Sequence, residues 1–341
     1  MSPAPQQPRH SAILPKVLIA LAGLLCGSGI TAFGIHARSS SDTPTDGATK
    51  QNDPATDEAR SIFKTKGKMV TVAVKKGQPG FSTRRADEYA YDGFDIDVTN
   101  ALADELEFDP DLRDIPSLER ERILTNDGAE LVVATYTITG ERDKILDFTI
   151  PYLKTYQTVL VRKDNTTIKR LEDLNDPSIH ICTASNSTSD PESTKDKEEQ
   201  KRIDVALGED ADIGYRKDYK TCVQQLQKGD FQAVWTDRIL LEGFAQAAPY
   251  SKDVEVRRDI RTPGPAQFYG IAINENHEAD CKELNGAIKH FLRTDWDRTF
   301  RSEFPGLIHS GVDPKQFKPS DPDIREHGPS SCGRGPADKG D

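Results

Sequence analysis

The chain has 341 residues, of which 35% are apolar and 30% charged, and its formal net charge is −11. This length allows two domains of ordinary size or one large domain. The negative charge argues against nucleic acid as a partner, because neutralising phosphates requires a basic face.

A long apolar stretch near the N-terminus predicts a membrane segment. Residues 17–35 run 19 positions without a charged residue, close to the ~20 residues that cross a bilayer as a helix. The basic residues Arg9 and Lys16 precede this stretch and an acidic segment follows it, which orients the folded part outward. Because Ala37 ends a poor cleavage site, we expect an uncleaved anchor at the extracellular face of the cell membrane. Lipidation at Cys26 is the less favoured alternative, since a leucine precedes it where a lipobox has Gly or Ala.

Two segments lack the apolar residues that a core requires. Residues 39–60 contain no Val, Ile, Leu, Met or aromatic residue, and residues 311–341 are rich in Pro, Gly and charge. Neither segment buries enough apolar area to offset its ordering entropy, so a disordered linker and a disordered tail, 311–341, are predicted. The N-terminal segments are predicted as a short cytoplasmic N-terminus (1–16), a transmembrane anchor or signal segment (17–36) and a disordered linker (37–61).

The first predicted elements of the folded part are two strands and two helices. The β-branched run "MVTVAV" (69–74) predicts a strand. The stretch "DIDVTNALADEL" (95–106) has its apolar residues on one helical face and acids near its start, which suit the helix dipole. The stretch "LERERILTNDG" (118–128) predicts a second helix ending at Gly128, and "ELVVATY" (130–136) predicts the next strand.

The second half of the folded part continues the alternation of strands and helices. Strands are predicted at "HICTA" (180–184), "FQAVWTD" (231–237), "SKDVEVRRD" (251–259) and "YGIAIN" (269–274). A late amphipathic helix is predicted over 280–300. Alternation of this kind indicates an α/β fold with largely parallel sheets.

Four cysteines follow the predicted anchor, where an exported protein can form disulfides. Cys182 lies on a predicted strand and Cys222 opens a helix before the next strand, so a Cys182–Cys222 bridge is predicted. A second bridge, Cys281–Cys332, would tie the tail to the folded part. No CxxC spacing is present and the seven histidines are scattered, so no metal or cofactor site is predicted.

One strand exit is unusually polar. The apolar run "LVVA" (131–134) leads directly into "TYTITGER" (135–142), which carries three threonines and an arginine. Ligands of open α/β sheets bind at the carboxyl ends of the strands. Hydroxyl groups and a guanidinium at this point therefore predict a site for a small polar ligand.

Two motifs resemble those of a known family. The stretch "GFDIDVTNALADEL" (93–106) is similar to the signature of family 3 bacterial extracellular solute-binding proteins, the amino-acid receptors of ABC importers. The stretch "ATYTITGERDKILDFTIPY" (134–152) resembles the strand-exit motif of the same family, with its ligand arginine. The resemblance covers about 62–310, nearly all of the predicted folded part.

The resemblance implies a two-lobed, periplasmic-binding-protein-like (type II) α/β fold with a hinge between the lobes. Lobe 1 would comprise 62–160 and a return segment, 262–310, and lobe 2 would comprise 161–261. The hinges would fall near "TVLVRKD" (158–164) and "RRDIRTPG" (257–264). Closure of two lobes about a hinge would enclose the ligand and exclude water from its charges.

The resemblance also implies roles for individual residues. Arg142 matches the arginine that clamps the α-carboxylate of an amino acid, a bidentate pairing that suits guanidinium. Thr135 and Thr137 match positions that donate hydrogen bonds from lobe 1, and Asp237 matches the acid that binds the α-ammonium. Without the resemblance, Arg142 could be a surface ion-pair partner, Asp237 a helix cap, and the threonines ordinary strand residues.

In lobe 2, "SNSTSD" resembles a loop at the start of a helix. Ser187 and Thr188 would meet the ligand carboxylate there, where backbone N–H groups are free. Asn186 replaces the usual glycine, and Asn tolerates positive φ better than most residues.

A further likeness narrows the expected ligand. The stretch "KKGQPGFSTRR" (75–85) is most similar to the glutamate-type receptors of Gram-positive bacteria. It adds Gln78 and Arg84 to the predicted ligand site. Lys75, Arg84 and Arg85 are available cations for a side-chain carboxylate, although the two arginines could also be a solvated charge pair.

Three classes of function compete on these observations. The first is a membrane-tethered receptor that binds glutamate or a related acidic or polar amino acid and delivers it to an ABC transporter permease. The second is a sensor ectodomain that signals on binding a ligand. The third is an enzyme in the cleft of the same fold, which would need a placed acid or a nucleophile–base pair. The sequence shows no such pair, so a binding protein without enzymatic activity is predicted.

Overall fold

The computed structural model describes the folded part of the chain. The described residues are 61–64, 68–85, 90–192, 201, 207–208, 211–261, 266–328 and 330–333. The predicted segments 1–16 and 17–36 and residues 37–60 of the predicted linker lie outside these ranges. Within the ranges, no helix is long and apolar enough to cross a membrane.

Short strands and helices alternate along the described ranges. The strands are β1 (Met69–Lys75), β2 (Thr83–Arg84), β3 (Tyr91–Asp92), β4 (Asp109–Ile115), β5 (Leu131–Thr137), β6 (Asp147–Phe148), β7 (Leu153–Thr155), β8 (Gln157–Arg162), β9 (His180–Ala184), β10 (Asp212–Arg216), β11 (Ala233–Asp237), β12 (Val254–Val256) and β13 (Gln267–Ile273). The α-helices are α1 (Phe94–Leu106), α2 (Arg120–Thr125), α3 (Tyr219–Lys228), α4 (Arg238–Gln246), α5 (Glu278–Thr294), α6 (Trp296–Glu303), α7 (Pro305–His309) and α8 (Asp321–His327). Single 3₁₀ turns form at Ser117–Glu119, Arg142–Lys144, Leu171–Asn175, Tyr250–Lys252, Glu275–His277 and Pro314–Gln316.

The strands form two main sheets, one in each of two α/β lobes. The sheet of lobe 1 has the order β4-β1-β5-β13-β6, with β7 paired to β13, and the sheet of lobe 2 has the order β10-β9-β11-β8-β12. The pairs β1–β4, β1–β5, β9–β10 and β9–β11 are parallel. In contrast, β13 is antiparallel to β5, and β8 is antiparallel to β11 and β12. The sheets are therefore mixed rather than largely parallel, because the strands nearest the lobe crossings run against the others.

The chain leaves lobe 1 earlier than the sequence indicated. Strand β7 ends at Thr155 in the first sheet, and β8 begins at Gln157 in the second. The segment 158–164, where a hinge is predicted, lies largely within β8 and pairs with β11. Its apolar residues are buried in lobe 2, which accounts for the difference. The crossing therefore lies at Tyr156, whose carbonyl accepts a hydrogen bond from the backbone N–H of Arg238.

The prediction that 311–341 is disordered is wrong for residues 311–328 and 330–333. Helix α8 forms there, and the fully buried ring of Phe317 packs 5.3 Å from the ring of Phe300. An ion pair of 2.8 Å joins Lys154 on β7 to Asp323 on α8. A few well-placed contacts hold this segment against lobe 1, and its average composition does not reveal them.

Both predicted disulfide pairings are present. Cys182 and Cys222 join β9 to α3 within lobe 2, with an S–S distance of 2.03 Å. Cys281 and Cys332 join α5 to the C-terminal segment, with an S–S distance of 2.11 Å. All four side chains are buried. Each bridge thus closes a loop within one part of the fold.

Helix α1 begins where a glycine is required. Gly93 has φ 129°, and a Cβ at that position would lie 2.4 Å from the carbonyl oxygen of Phe81. Only glycine accepts both this backbone conformation and this close approach. The apolar face of α1, including Val98 and Leu102, is buried as its spacing predicts.

Two helix boundaries differ from the predictions. The stretch 118–128 forms a 3₁₀ turn followed by α2, which ends at Thr125, before the predicted end at Gly128. The stretch 280–300 divides at Asp295 into α5 and α6. The indole N–H of Trp296 donates a hydrogen bond to the carbonyl of Tyr152, which fixes the start of α6 on lobe 1.

Candidate ligand-binding site

A small cavity of about 10 Å³ lies where the two lobes meet. Residues from both lobes surround it, so the lobes are closed onto each other at this point. Six of the eight predicted ligand residues line the cavity, and Gln78 and Arg84 do not. The lining residues are Lys75, Ser117, Arg120, Thr135, Thr137, Arg142, Ser187, Thr188, Tyr219, Thr236, Asp237 and Leu240.

Thr135, near the end of β5, has a strained backbone. Its φ is 46°, which is unusual for a β-branched residue. Its N–H donates to Oδ2 of Asp95 at 2.9 Å, and the hydroxyl of Tyr152 donates to Oδ1 of Asp95 at 2.7 Å. Burial raises the pKa of Asp95 to about 8. Asp95, at the start of α1, thus holds the ligand-side backbone of β5 in position.

Arg142 lies across the cavity edge with its guanidinium fixed. Nη1 donates to the carbonyl of Thr137 at 2.8 Å, and Nη2 donates to the carbonyl of Asn186 in lobe 2 at 3.3 Å. Nε lies 3.6 Å from a carboxylate oxygen of Glu121, and the guanidinium carbon lies 4.6 Å from the ring centroid of Tyr136. Only 8% of the residue is exposed. It is therefore a buried cleft residue rather than a surface ion-pair partner.

A second arginine, Arg120, lies beside the first and was not predicted. Nε donates to the carbonyl of Ser117 at 3.1 Å, and Nη1 donates to the carbonyl of Thr135 at 3.3 Å. Nη2 donates to the carbonyl of Asn186 at 3.0 Å, the same oxygen that Arg142 reaches. Burial and the neighbouring charge of Arg142 lower the pKa of Arg120 to about 10. Two guanidinium groups therefore converge on one acceptor of lobe 2.

From the sequence, Arg120 could have been identified as a site residue only if the strand before it had been predicted. Strand β4 has the polar sequence "DPDLRDI" and lies at the edge of its sheet, so its sequence lacks the alternation of apolar and polar residues that predicts a strand. Its carboxyl end nevertheless lies beside that of β1, at the ligand edge. The other lining residues that the sequence did not indicate are Ser117, Tyr219, Thr236 and Leu240.

Lys75 ends β1 inside the site. Its side chain is almost fully buried, and its ammonium group is hydrogen-bonded to the hydroxyl of Ser117. Burial, followed by the charge of Arg120, lowers the pKa of Lys75 well below its ordinary range. A carboxylate beside Lys75 would favour the charged ammonium, since an opposite charge offsets the cost of burial.

The loop of lobe 2 presents hydroxyl groups to the cavity. Asn186 has φ 57°, the left-handed conformation that the sequence allowed for it, and its N–H donates to Oδ2 of Asp190 at 2.8 Å. Thr188 Oγ1 accepts from Nε2 of Gln157 at 3.2 Å, and Ser187 also lines the cavity. The residues at 185–189 form turns rather than the first turn of a helix.

Asp237 ends β11 on the lobe 2 side of the cavity. Its side chain makes no capping hydrogen bond to α4, so it does not act as a helix cap. Instead, Oδ2 accepts a hydrogen bond of 2.6 Å from the hydroxyl of Tyr269 on β13 of lobe 1. Burial and the charge of Asp237 raise the pKa of Tyr269 above its ordinary range.

The loop after β1 places the remaining predicted residues elsewhere. Gln78 is buried but outside the cavity lining. Arg84 is exposed on β2, with its guanidinium carbon 5.9 Å from the ring centroid of Tyr91. Arg85 forms an ion pair with Asp92. This hairpin holds its arginines at the surface, which separates them from the site.

The charges of the lining suit an anionic group rather than a metal ion. Lys75, Arg120 and Arg142 contribute three cationic side chains, and Asp237 contributes the one carboxylate in the described lining. Across the described part of the chain, no three His, Cys, Asp or Glu residues are grouped closely enough to hold a metal.

The motifs and the fold agree with one family. The sequence model of the bacterial extracellular solute-binding proteins, family 3, matches residues 70–323 of the chain. The chain belongs to this family. Membership confirms the resemblance and the two-lobed α/β architecture, and family 3 proteins are extracellular.

Two relatives show how far the sequence likeness of this solute-binding protein extends. It is 32% identical over 242 residues to the glutamate-binding protein GluB of Corynebacterium efficiens, covering 69% of this chain and 78% of that protein. It is 29% identical over 273 residues to a glutamine-binding protein of Geobacillus stearothermophilus, covering 79% of this chain and 96% of the relative.

Solved structures support the same architecture. An amino acid ABC transporter substrate-binding protein from Streptococcus pneumoniae, bound to L-arginine, superposes with a TM-score of 0.61 at 22% identity. The match covers 72% of this chain and 98% of that one. The ancestral amino acid-binding protein AncCDT-1, described as a precursor of cyclohexadienyl dehydratase, superposes with a TM-score of 0.58 at 26% identity and covers 69% and 95% of the two chains.

Proposed function

We propose that this solute-binding protein binds an acidic amino acid, with L-glutamate as the best candidate, and delivers it to the permease of an ABC importer. The single observation that carries the ligand class is the charge of the cleft. Three cationic side chains and one carboxylate line it among the described residues. The name of the similar glutamate-binding protein supports the same class, whereas the name of the glutamine-binding relative indicates the neutral amide counterpart.

The head of an amino acid would use one cation and the carboxylate. Arg142 would clamp the α-carboxylate, because its planar fork matches a carboxylate in a bidentate manner. Thr135 and Thr137 would add lobe 1 donors, and Asp237 would bind the α-ammonium from lobe 2. This assignment leaves two cations unused by the head.

Lys75 and Arg120 would then face the side chain of the ligand. Burying two cations is costly, because the desolvation of a charge is offset only by a partner. Asp218 near Lys75 and Glu121 near Arg120 offset only part of this cost, since the pKa values of both cations remain lowered. A side-chain carboxylate would supply that partner, whereas a neutral amide would supply only a dipole. Gln78 and Arg84 have no part in this proposal, since they lie away from the cavity.

Closure would complete the site from lobe 2. Ser187 and Thr188 would donate to the ligand carboxylate. Both Arg120 and Arg142 already reach across to the carbonyl of Asn186. The same guanidinium groups could therefore bind the ligand and hold the two lobes together.

The proposal includes a tether, with the predicted segment 17–36 as the membrane anchor. A tethered receptor would keep its ligand near the permease. A sensor on the same anchor is the alternative role, and it would require the same ligand site. Co-purification from membranes with a permease rather than with a signalling partner would distinguish the two.

An enzymatic role has one observation in its favour, the hydrogen bond between the side chains of Ser117 and Lys75. A lysine with a lowered pKa can act as a base toward serine. In the proposed site this lysine instead faces the ligand carboxylate. We expect L-glutamate and L-glutamine to remain unchanged after prolonged incubation with the protein, as followed by NMR.

A thermal-shift panel of the twenty amino acids tests the proposed ligand class. A ligand at 100 times its dissociation constant adds about 2.7 kcal/mol to the unfolding free energy. L-Glutamate should raise the melting temperature most, and Lys75→Met should reduce that shift more for L-glutamate than for L-glutamine. A panel in which no acidic amino acid shifts the transition would contradict the proposal.

A further inference from the structure

Helix α4 joins the two lobes beside the cavity. It belongs to lobe 2, because it follows β11 directly and packs against β8 and β12. It also contacts lobe 1 along its length. Arg238 at its start reaches Gln316 of the C-terminal segment at 3.4 Å, while Gly243 and Gln246 contact lobe 1 further along.

Gly243 permits an unusually close approach of the two backbones. A Cβ at this position would lie 2.1 Å from the carbonyl oxygen of Pro79 and 3.0 Å from its carbonyl carbon. Real Cβ atoms essentially never lie closer than 3.0 Å to such an atom. The residue is within a regular helix, where alanine is intrinsically preferred to glycine. Glycine is therefore required at this position because there is no space for a side chain, and not because of the backbone conformation.

Gln246 lies three residues further along, on the same face of the helix. Its Nε2 donates to the carbonyl of Glu303 at the end of α6, at 2.5 Å. Its Oε1 accepts from the N–H of Gly306 in α7, at 3.2 Å. One lobe 2 amide therefore bridges the junction of two lobe 1 helices.

The two elements in this contact also carry the charges of the site. The loop containing Pro79 begins immediately after Lys75, and α4 begins immediately after Asp237. Leu240, one turn before Gly243, lines the cavity itself. The separation of α4 from this loop therefore sets how closely the Lys75 side of the cleft approaches the Asp237 side.

We propose that Gly243 is a positioning residue for ligand capture, because its missing side chain lets α4 reach the Pro79 carbonyl and close the two lobes fully. Gln246 secures the closed arrangement through its two hydrogen bonds. The contact forms when the lobes close and opens when they part. This inference rests on the proposed function, since it assigns the contact to the capture of an amino acid.

The test compares Gly243→Ala with Gly286→Ala in the full-length chain. Gly286 is an exposed glycine within α5, and a Cβ there would have nothing within 4 Å, so it provides the same helical substitution without the contact. Gly243→Ala should weaken L-glutamate binding at least tenfold in calorimetry, mainly through faster dissociation. Gly286→Ala should bind as the wild type does. Gln246→Ala, which introduces no clash, should also speed dissociation, by a smaller factor.

Hydrogen exchange distinguishes a closing contact from a permanent one. In the wild type, L-glutamate should protect the amides of 76–82 and 303–307 from exchange. Gly243→Ala should lose much of this protection, and without ligand it should melt at the same temperature as Gly286→Ala. Unchanged affinity in Gly243→Ala would overturn the inference. So would a fall in the ligand-free melting temperature relative to Gly286→Ala, because the contact would then be permanent.

The same variants also test the inference if the protein does not bind an amino acid. If the wild type binds no amino acid, the ligand assignment is wrong, and the inference is judged on exchange in the ligand-free protein. Faster exchange of 76–82 in Gly243→Ala than in Gly286→Ala, at equal ligand-free melting temperatures of the two variants, would still support a contact that opens and closes. Equal exchange in the two variants would overturn it.

Discussion

The hydroxyl of Tyr269 donates a hydrogen bond of 2.6 Å to Oδ2 of Asp237, and this bond joins β13 of lobe 1 to β11 of lobe 2. Both side chains are almost fully buried. Asp237 therefore contributes to closure even before its proposed contact with an α-ammonium group is considered. In the proposed site, the same carboxylate would accept the hydrogen bond from Tyr269 and pair with the α-ammonium group of the ligand.

Asp237→Asn should weaken amino-acid binding strongly. The variant can still accept the hydrogen bond from Tyr269, but it loses the charge that would pair with the α-ammonium. A charge-assisted hydrogen bond contributes about 1.5–3 kcal/mol, so calorimetry should show a loss of affinity of at least tenfold. The melting temperature of the ligand-free protein should stay the same. Tyr269→Phe is the control that keeps the charge, and binding by Asp237→Asn equal to that of the wild type would contradict the assignment.

Arg142→Ala should cost more than the same ~1.5–3 kcal/mol, because the ligand carboxylate would lose its partner in a desolvated site. Arg142→Lys should not restore binding, since a point charge cannot reproduce a bidentate fork. Calorimetry measures the loss, and circular dichroism should show that both variants remain folded. If Arg142→Ala binds normally, or fails to fold, Arg142 is a structural residue rather than the carboxylate clamp.

The residues that the sequence revealed follow from strong local patterns. The apolar run of β5 and the helical spacing of α1 predict those elements, and the polar exit of β5 indicated Arg142. Asp237 was indicated only by the family resemblance. Arg120 was not predicted because β4, the strand before it, is a polar edge strand without alternating apolar and polar residues. The fold of the C-terminal segment was not predicted, although its bridge from Cys332 to Cys281 was, because contacts such as those of Phe317 and Asp323 are long-range and leave no local pattern.

Asp95 should make the stability of the protein depend on pH. Burial raises the pKa of its carboxyl group from 3.8 to about 8, so between these values the folded state keeps a proton that the unfolded state has released. The unfolding free energy of the wild type, relative to Asp95→Asn, should therefore fall as the pH rises from about 4 to about 8 and level off above. The slope should be at most about 1.4 kcal/mol per pH unit. Urea unfolding at pH 5, 6, 7 and 8 checks this, and a difference that rises with pH would be incompatible with a raised pKa.

The bridge between Cys281 and Cys332 should stabilise the folded protein substantially. It links residues 51 positions apart, and a closed loop of this length contributes about 4 kcal/mol in the chain-entropy treatment. The free energy of unfolding of the double variant Cys281→Ser, Cys332→Ser, measured by urea unfolding, should be lower by about this amount. Its backbone amides at 314–328 should exchange with solvent faster. The oxidised wild type and the oxidised double variant both keep the Cys182–Cys222 bridge, so their comparison isolates the second bridge. Equal stability of the bridged and unbridged forms would show that the bridge adds nothing to the fold.

Calorimetric titration of the full-length wild-type protein with L-glutamate and L-glutamine tests the central claim most directly. The two ligands share a head group and differ in whether the side chain carries a carboxylate, so their comparison isolates the cations Lys75 and Arg120. We predict a dissociation constant for L-glutamate in the micromolar range or tighter, a binding free energy of about −8 kcal/mol or better. L-Glutamine should bind at least tenfold more weakly. Equal or tighter binding of L-glutamine, or no saturable heat with either ligand, would contradict the acidic-ligand assignment.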